Sequence, residues 1–292
     1  MYWGRRSRLT GIAYLAPAVL FVLAFTAYPL ARMVWMSFHS WSLITPPSWV
    51  GLGNYRRAFA DDQFWVSFAF TLKYTAIITP ILIVGGYLLA LLCSPGSPLR
   101  RLTRTLVFVP VVIGLGVSSL LWYWLFSTDF GLINRALLDL GVISKPVLWL
   151  GVDADLSNLA ITTSVVWKVI GFGMILFVGA IQAIPTEIHE ASLVDGAGHW
   201  QRVTRVILPL TLRTVLVVTL VSVIGSLLAF DQFYIMTAGQ PQNETATSVF
   251  YVYLNSFPYL RLGYGAALSM ILALTILVFT VVQLLLTRRS HA

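Results

Sequence analysis

Six apolar runs alternate with shorter polar connections along the chain, at residues 11–36, 67–92, 103–126, 159–183, 208–230 and 264–287. Each is long enough to cross a hydrocarbon core of about 30 Å as a helix. Only a helix satisfies all of its own backbone polar groups inside lipid, so the pattern predicts an all-α, polytopic membrane protein with six transmembrane helices. The first run follows Arg5, Arg6 and Arg8 as a secretory leader would, but it is too long and lacks an A-x-A end, so it reads as a retained span. The expected organisation is a 1–66 segment with the first span and first extracytoplasmic loop, then a 67–287 core of five spans that includes a polar connection at 184–209.

Composition agrees with this reading. Hydrophobic residues make up 58% and charged residues 10% of the 292, with a mean hydropathy of +0.83; a soluble domain carries about 25% charged residues. A single cysteine, Cys93, excludes an internal disulfide or a multi-cysteine metal site. His39, His189, His199 and His291 are too scattered for a ligand set, so no metal and no cofactor is expected on this chain. The net charge of +8 does not point to nucleic acid, because no basic face with interleaved aromatics occurs and the cations cluster at the ends of apolar runs.

Those cations set the orientation. With the N-terminus in the cytoplasm, Arg5, Arg6, Arg8, Arg100, Arg101, Arg104, Arg202, Arg205, Arg213, Arg288 and Arg289 share one side, against Arg56, Arg57, Arg135, Lys145 and Arg261 on the other. Eleven against five predicts both termini inside. Trp41, Trp49, Trp122 and Trp124 then fall near the outer boundary as interfacial anchors.

Lys168, in VVWKVIGFG, is the one full charge well within a span, roughly 13 Å below the outer end of the fourth. An unpaired ammonium there costs several kcal/mol, so it faces a solute cavity or pairs with a carboxylate or helix carbonyls. Asp231, in AFDQFY at the outer end of span five, is shallower and suits a plain interfacial position or the solute pathway, for which Gln232 beside it is also a candidate. Gly171 and Gly173 suit close helix packing.

The polar stretch EASLVDGAGHWQRVTRVILP, residues 190–209, interrupts this apolar chain. Pro185 suits a helix start, and Glu187 and Glu190 complement its positive N-terminal end. Asp195-Gly196 ends that helix, since glycine accepts the left-handed conformation. A second short helix would carry Trp200, Val203 and Ile207 on one side and Arg202 and Arg205 on another, with Pro209 at the entry to span five. Two short helices meeting at a glycine fit either a groove on another protein or the headgroup layer.

The stretch resembles the EAA loop of binding-protein-dependent ABC importer permeases: Glu190-Ala191-Ser192, Gly196 after three more residues, then nine residues and Val206-Ile207-Leu208-Pro209. Ser192 stands for the second Ala and Val206 for Ile. LAPAVLFVLAFTAYPL, GLGNYRRAF, GFGMILFVGAIQAIP, FDQFYIMTAGQPQNETAT and LGYGAALS are similar to the carbohydrate branch, related to maltose-transporter permeases, with Gln240 where the branch has a second Gly in T-x-G-G-P.

This resemblance implies a type I ABC importer permease fold in the bacterial plasma (inner) membrane. It also implies partners: an ATPase dimer that uses ATP and Mg, a second related permease, and an extracytoplasmic solute-binding protein. Glu190, Ala191, Asp195, Gly196, Trp200 and Pro209 would form the ATPase-coupling site, with Glu190 near basic groups, Gly196 setting the bend and Trp200 as a buried contact. Lys168, Asp231 and Gln232 would be candidates for the pathway of a sugar or, alternatively, a glycerol-phosphate ester. The chain has no G-x-x-x-x-G-K-[ST] loop to cradle ATP. A self-powered secondary transporter would want repeated halves and intramembrane carboxylates, and an enzyme would want converging nucleophile, base or metal ligands; the sequence offers neither set.

Overall fold

A computed structural model describes residues 5–42, 44–94 and 97–289, with side chains described over 13–42, 44–94 and 97–285. The side chains of Arg5, Arg6, Arg8, Arg288 and Arg289, and the whole of His291, fall outside that description. In chain order the elements are α1 (Arg5–Val22), α2 (Tyr28–Ser37), β1 (His39–Ser40), β2 (Ser48–Trp49), α3 (Gly53–Phe59), α4 (Asp62–Cys93), α5 (Pro98–Val112), α6 (Leu115–Leu125) and α7 (Leu132–Asp139), followed by α8 (Ala154–Gln182), α9 (Thr186–Val194), α10 (His199–Arg202), α11 (Leu208–Leu227), α12 (Asp231–Thr237), α13 (Ser248–Ser256) and α14 (Leu262–Arg289). The chain divides into two compact units, residues 1–62 with 252–274, and residues 63–251 with 275–292.

Among the described residues, five helical stretches are long and apolar enough to cross a membrane: Ala13–Ser37, Asp62–Cys93, Ala154–Gln182, His199–Leu227 and Leu262–Leu285. The expected third span is not one straight helix. Its halves, α5 and α6, meet at 102°, so they make a sixth span only when counted together. Pro110 denies α5 one hydrogen bond near its end, and Ile113 and Gly114 take extended backbone angles that stop it. The fourth span starts at Ala154 rather than 159, because the Asp153 side chain caps it by accepting from the Leu156 amide at 2.8 Å.

Among the described residues, two helices carry a π-turn, Leu23–Ala27 and Val203–Ile207, and each π-turn ends two residues before a proline, Pro29 and Pro209. A proline inside a helix lacks its N–H and its ring presses on the carbonyl four residues back. Widening the turn at that point relieves the clash without ending the helix. The expected boundary at Pro209 is therefore corrected: α10, the π-turn and α11 form one 29-residue stretch, not a separate short helix followed by a span.

In the larger unit, α8 is the central element, packed against α5, α6, α11 and α12. Its glycines make this possible. A Cβ on Gly171 would collide with the Val107 carbonyl oxygen of α5, and on the facing side Gly86 of α4 sits against the backbone of Gly173 and Met174. One buried cluster joins Tyr74, Ile78, Val165, Phe126, Phe233 and Met236; a second joins Tyr87, Met174, Phe177, Ile181, Val203 and Ile207. Tyr87 and Thr211 share a buried hydrogen bond of 2.9 Å between α4 and α11.

The smaller unit holds the β1–β2 hairpin, paired His39 to Trp49 and Ser40 to Ser48. The Asn54 amide, from GLGNYRRAF, donates to the carbonyls of Ser37 and His39, each at 2.9 Å. Gly263, from LGYGAALS, leaves no room for a Cβ against the His39 carbonyl, and the Tyr264 hydroxyl donates to Asp61 at 2.6 Å.

Candidate functional site

The stretch that stood out in the sequence folds as a helix, a fixed turn and a second helix. Pro185 sits just before the first helical residue rather than inside the first turn, and α9 runs from Thr186 to Val194. Gly196 follows at φ +73°, with its amide bonded to the Leu193 carbonyl and the next amide, Ala197, bonded to the Ser192 carbonyl, both at 3.0 Å. This pair of bonds around a left-handed glycine is the Schellman arrangement, and it satisfies carbonyls that the helix end would leave open. Gly198 then starts α10, its amide donating to Gln201 Oε1 at 3.0 Å. Ser192, in place of the second alanine, is buried and donates to the His189 carbonyl at 2.7 Å, so its hydroxyl is absorbed within its own helix.

The named residues of this stretch are not gathered into one cleft. Glu190, Ala191, Asp195, Gly196 and Pro209 are exposed. Trp200 does not share the buried side of Val203 and Ile207: it is 67% exposed, while they are 5% and 7%. Leu193 and Val194 are also exposed, at 57% and 88%. Trp200, Leu193 and Val194 are thus large apolar side chains left bare on either side of a backbone turn, with Glu190 beside them on α9, a composition suited to a protein partner.

Deeper in the same unit lies a cavity of about 170 Å³ lined by Tyr74, Leu115, Phe172, Ser222, Ser226 and Gln232, among others. Gln232 is 5% exposed and lines this cavity together with the buried Tyr74. None of the described lining residues is charged. Asp231 opens α12 and is half-buried, with its carboxylate at the favourable end of that short helix. Lys168 is 9% exposed and is not among the residues lining this cavity. Its ammonium donates to the Val111 carbonyl at 3.3 Å, beside the break between α5 and α6.

Two features carry no signal in the sequence, Tyr74 and the Lys73–Asp155 pair. Tyr74 had no distinguishing signal within an apolar run. Lys73 pairs with Asp155 at 3.3 Å, but both side chains are well exposed, so the pair contributes little. Around Gln240, the left-handed positions fall on Ala238, Gly239, Gln242 and Asn243 and not on Gln240 itself, so the turn places no demand for glycine there.

A family model described as "Binding-protein-dependent transport system inner membrane component" matches residues 82–291. The chain is 31% identical over 283 residues, 96% of its length and 91% of the relative's, to the sulfoquinovosyl glycerol transport system permease protein SmoG of Agrobacterium fabrum. It is 31% identical over 279 residues to the lactose transport system permease protein LacF of Rhizobium radiobacter, covering 94% and 93% of the two chains. It is 30% identical over 280 residues, 96% and 94%, to the trehalose/maltose transport system permease protein MalF of Thermococcus litoralis. Among solved structures, a bacterial ABC transporter involved in the import of the acidic polysaccharide alginate has a chain of the same fold, with a TM-score of 0.84 at 24% identity over 98% of this chain and 96% of that one.

Proposed function

This chain belongs to the family of binding-protein-dependent transport system inner membrane components, and from that premise we propose that it moves a sugar or sugar-like solute by alternating access driven through residues 184–209. It is the permease of an ABC importer, and ATP hydrolysis belongs to another subunit. In this reading both termini and the 184–209 connection face the cytoplasm. An ATPase dimer, using ATP and Mg, receives α9 and the turn at Gly196 in a surface cleft, and its closure moves spans four and five. A second, related permease completes the pathway, and a solute-binding protein delivers cargo on the opposite side.

The observation that carries the coupling role is the bare apolar tip formed by Leu193, Val194 and Trp200 on a hydrogen-bonded turn. That tip joins two spans directly: α8 ends at Gln182, and the stretch from His199 continues unbroken to Leu227. A push on the turn is therefore felt in both. The uncharged lining of the cavity at Tyr74 and Gln232 supports a neutral, hydroxyl-rich solute over a glycerol-phosphate ester, which would want a fixed cation there. The names of the lactose and trehalose/maltose relatives support the same class, while that of the sulfoquinovosyl glycerol relative, whose solute is a glycoside with a sulfonate, supports a sugar-like solute without supporting neutrality.

The test is a panel of oligosaccharides, glycosides and glycerol-phosphate esters, titrated against the cognate binding protein and then offered to the complete transporter in proteoliposomes. ATP-dependent uptake of a sugar or glycoside is expected. Uptake confined to the phosphate esters would reject the solute assignment.

A further inference from the structure

Three helices of the larger unit meet where the chain enters the 184–209 stretch, and one guanidinium ties two of them to the third. α4 ends at Cys93 and α8 at Gln182. Each end leaves carbonyls without a donor from its own helix and carries a partial negative charge, so two such ends stay together more readily with a cation between them. Arg104, on the first half of α5, meets both. Its Nε donates to the Cys93 carbonyl at 3.0 Å, and a terminal nitrogen donates to the same oxygen. With the Gln182 amide turned so that its oxygen faces the guanidinium, both terminal nitrogens reach that oxygen as well, at 3.1 and 3.3 Å. Cys93 is buried and Arg104 half-buried, while Gln182 is exposed, so the Cys93 contact is the better shielded of the two. Among the described residues Arg104 has no carboxylate partner, and its charge faces the helix ends alone.

One turn further along α5 the Val107 carbonyl stands against Gly171, so α5 is held to α8 by close packing as well as by charge. Beyond Gln182 only Ala183, Ile184 and Pro185 lead to α9, and none of them has a polar side chain to brace the joint. A displacement of the turn at Gly196 therefore arrives at the last turn of α8, and its effect depends on what that last turn is fastened to. We infer that Arg104 is a positioning residue for coupling, clasping the last turns of α4 and α8 so that the two spans move together, a role that rests on the coupling reading of residues 184–209. Arginine suits the place better than lysine, since its planar fork offers donors to two acceptors at once whereas an ammonium is a point charge.

The experiment uses the assembled transporter in proteoliposomes, with spin labels on Leu92→Cys and Ala183→Cys, both exposed positions, and with Cys93→Ala, which keeps the backbone carbonyl. Two quantities are read: the distance between the labels with and without ATP, and the ATP hydrolysed per solute imported. With Arg104 present the labels give one narrow distance in both states. Arg104→Gln adds a longer component, because losing one charged hydrogen-bond set favours the parted ends about tenfold. It also raises the ATP-to-solute ratio several-fold while the ATPase stays bound. Arg104→Lys restores part of both. Arg101→Gln, an equal loss of charge at an exposed position on α5, changes neither. An unchanged distance in Arg104→Gln overturns the clasp. A longer distance with an unchanged ratio, or uptake and hydrolysis falling in proportion, makes the contact merely structural and overturns the positioning role. Should Arg104→Gln fail to assemble, Gln182→Leu removes only the α8 side of the clasp and is held to the same two readouts, with smaller changes expected and none overturning the inference. The coupling reading itself fails on a different variant, Gly196→Val with normal uptake, in which Arg104 is intact.

Discussion

The ammonium of Lys168 donates to the Val111 carbonyl across 3.3 Å, from the middle of α8 to the last turn of α5. That carbonyl belongs to a helix end without continuation, because the chain turns by 102° before α6 begins. In lipid such a group has no water to accept from, so the lysine satisfies it and is itself satisfied. Lys168→Met should leave membrane insertion intact while lowering the thermal stability of the purified protein by about 1–2 kcal/mol and slowing transport. Lys168→Arg should recover part of both. Thermal melts in detergent alongside uptake assays give the answer; wild-type stability and uptake in Lys168→Met would remove the lysine from this role.

Gly196 has open space where a Cβ would stand, so any cost of substitution comes from its φ of +73° alone. Gly196→Val should cost about 1–3 kcal/mol locally and abolish uptake with the protein still inserted. Gly196→Asn should come close to wild type, since asparagine tolerates the left-handed region. Uptake and ATPase co-purification with the two variants separate strain from bulk, and a normally active Gly196→Val would leave the turn without a coupling role.

Because Trp200 is mostly bare, Trp200→Ala should alter the stability of the isolated permease by less than about 0.5 kcal/mol. Its effect should appear only in the complex, as loss of bound ATPase during purification. Glu190→Ala, removing an exposed charge, should act more mildly. Retention of the ATPase by Trp200→Ala at the wild-type level would show that the tip does not dock there.

The orientation is checked by a single cysteine at position 200 in a background lacking Cys93. An impermeant thiol reagent applied to intact cells should leave it unlabelled, and label it after the membrane is opened. Strong labelling in intact cells would reverse both the topology and the docking proposal.

Gly171→Val forces a branched side chain onto the Val107 carbonyl, where even one Cβ does not fit. The expected result is poor accumulation of folded protein, since α5 and α8 can part only by disrupting the packing around both. Gly225→Ala, at a glycine with open space around it, serves as the tolerant comparison. Equal yields of the two would contradict the close α5–α8 approach.

The apolar runs announced five spans because length and hydropathy are properties of each segment by itself. The broken third span was hidden for the same reason: α5 and α6 are both apolar, and hydropathy carries no information on direction. Pro110 and Gly114 were the available signals, but proline is tolerated inside membrane helices, as Pro80 within α4 demonstrates. Gly196 was legible because only local backbone geometry decides a left-handed helix end. The continuation through Pro209 was not, since a proline can end a helix as well as widen its turn, and the residue type alone does not say which. The cavity shared by Tyr74 and Gln232 joins positions 158 residues apart, a distance over which a lone sequence carries no pattern.

The stretch from His199 to Leu227 runs 29 residues without a stop, a rod of roughly 43 Å at 1.5 Å per residue. Val218, Val221, Ser222, Gly225 and Ser226 on its far half form one wall of the inner cavity. Tilting such a rod by about 10° about its near end carries the far end sideways by about 7 Å, wider than a single sugar ring is thick. On the proposed reading, the 170 Å³ space need not be remodelled residue by residue to admit or expel cargo: a small angular change at the turn would be magnified by length alone into a displacement on the scale of the solute.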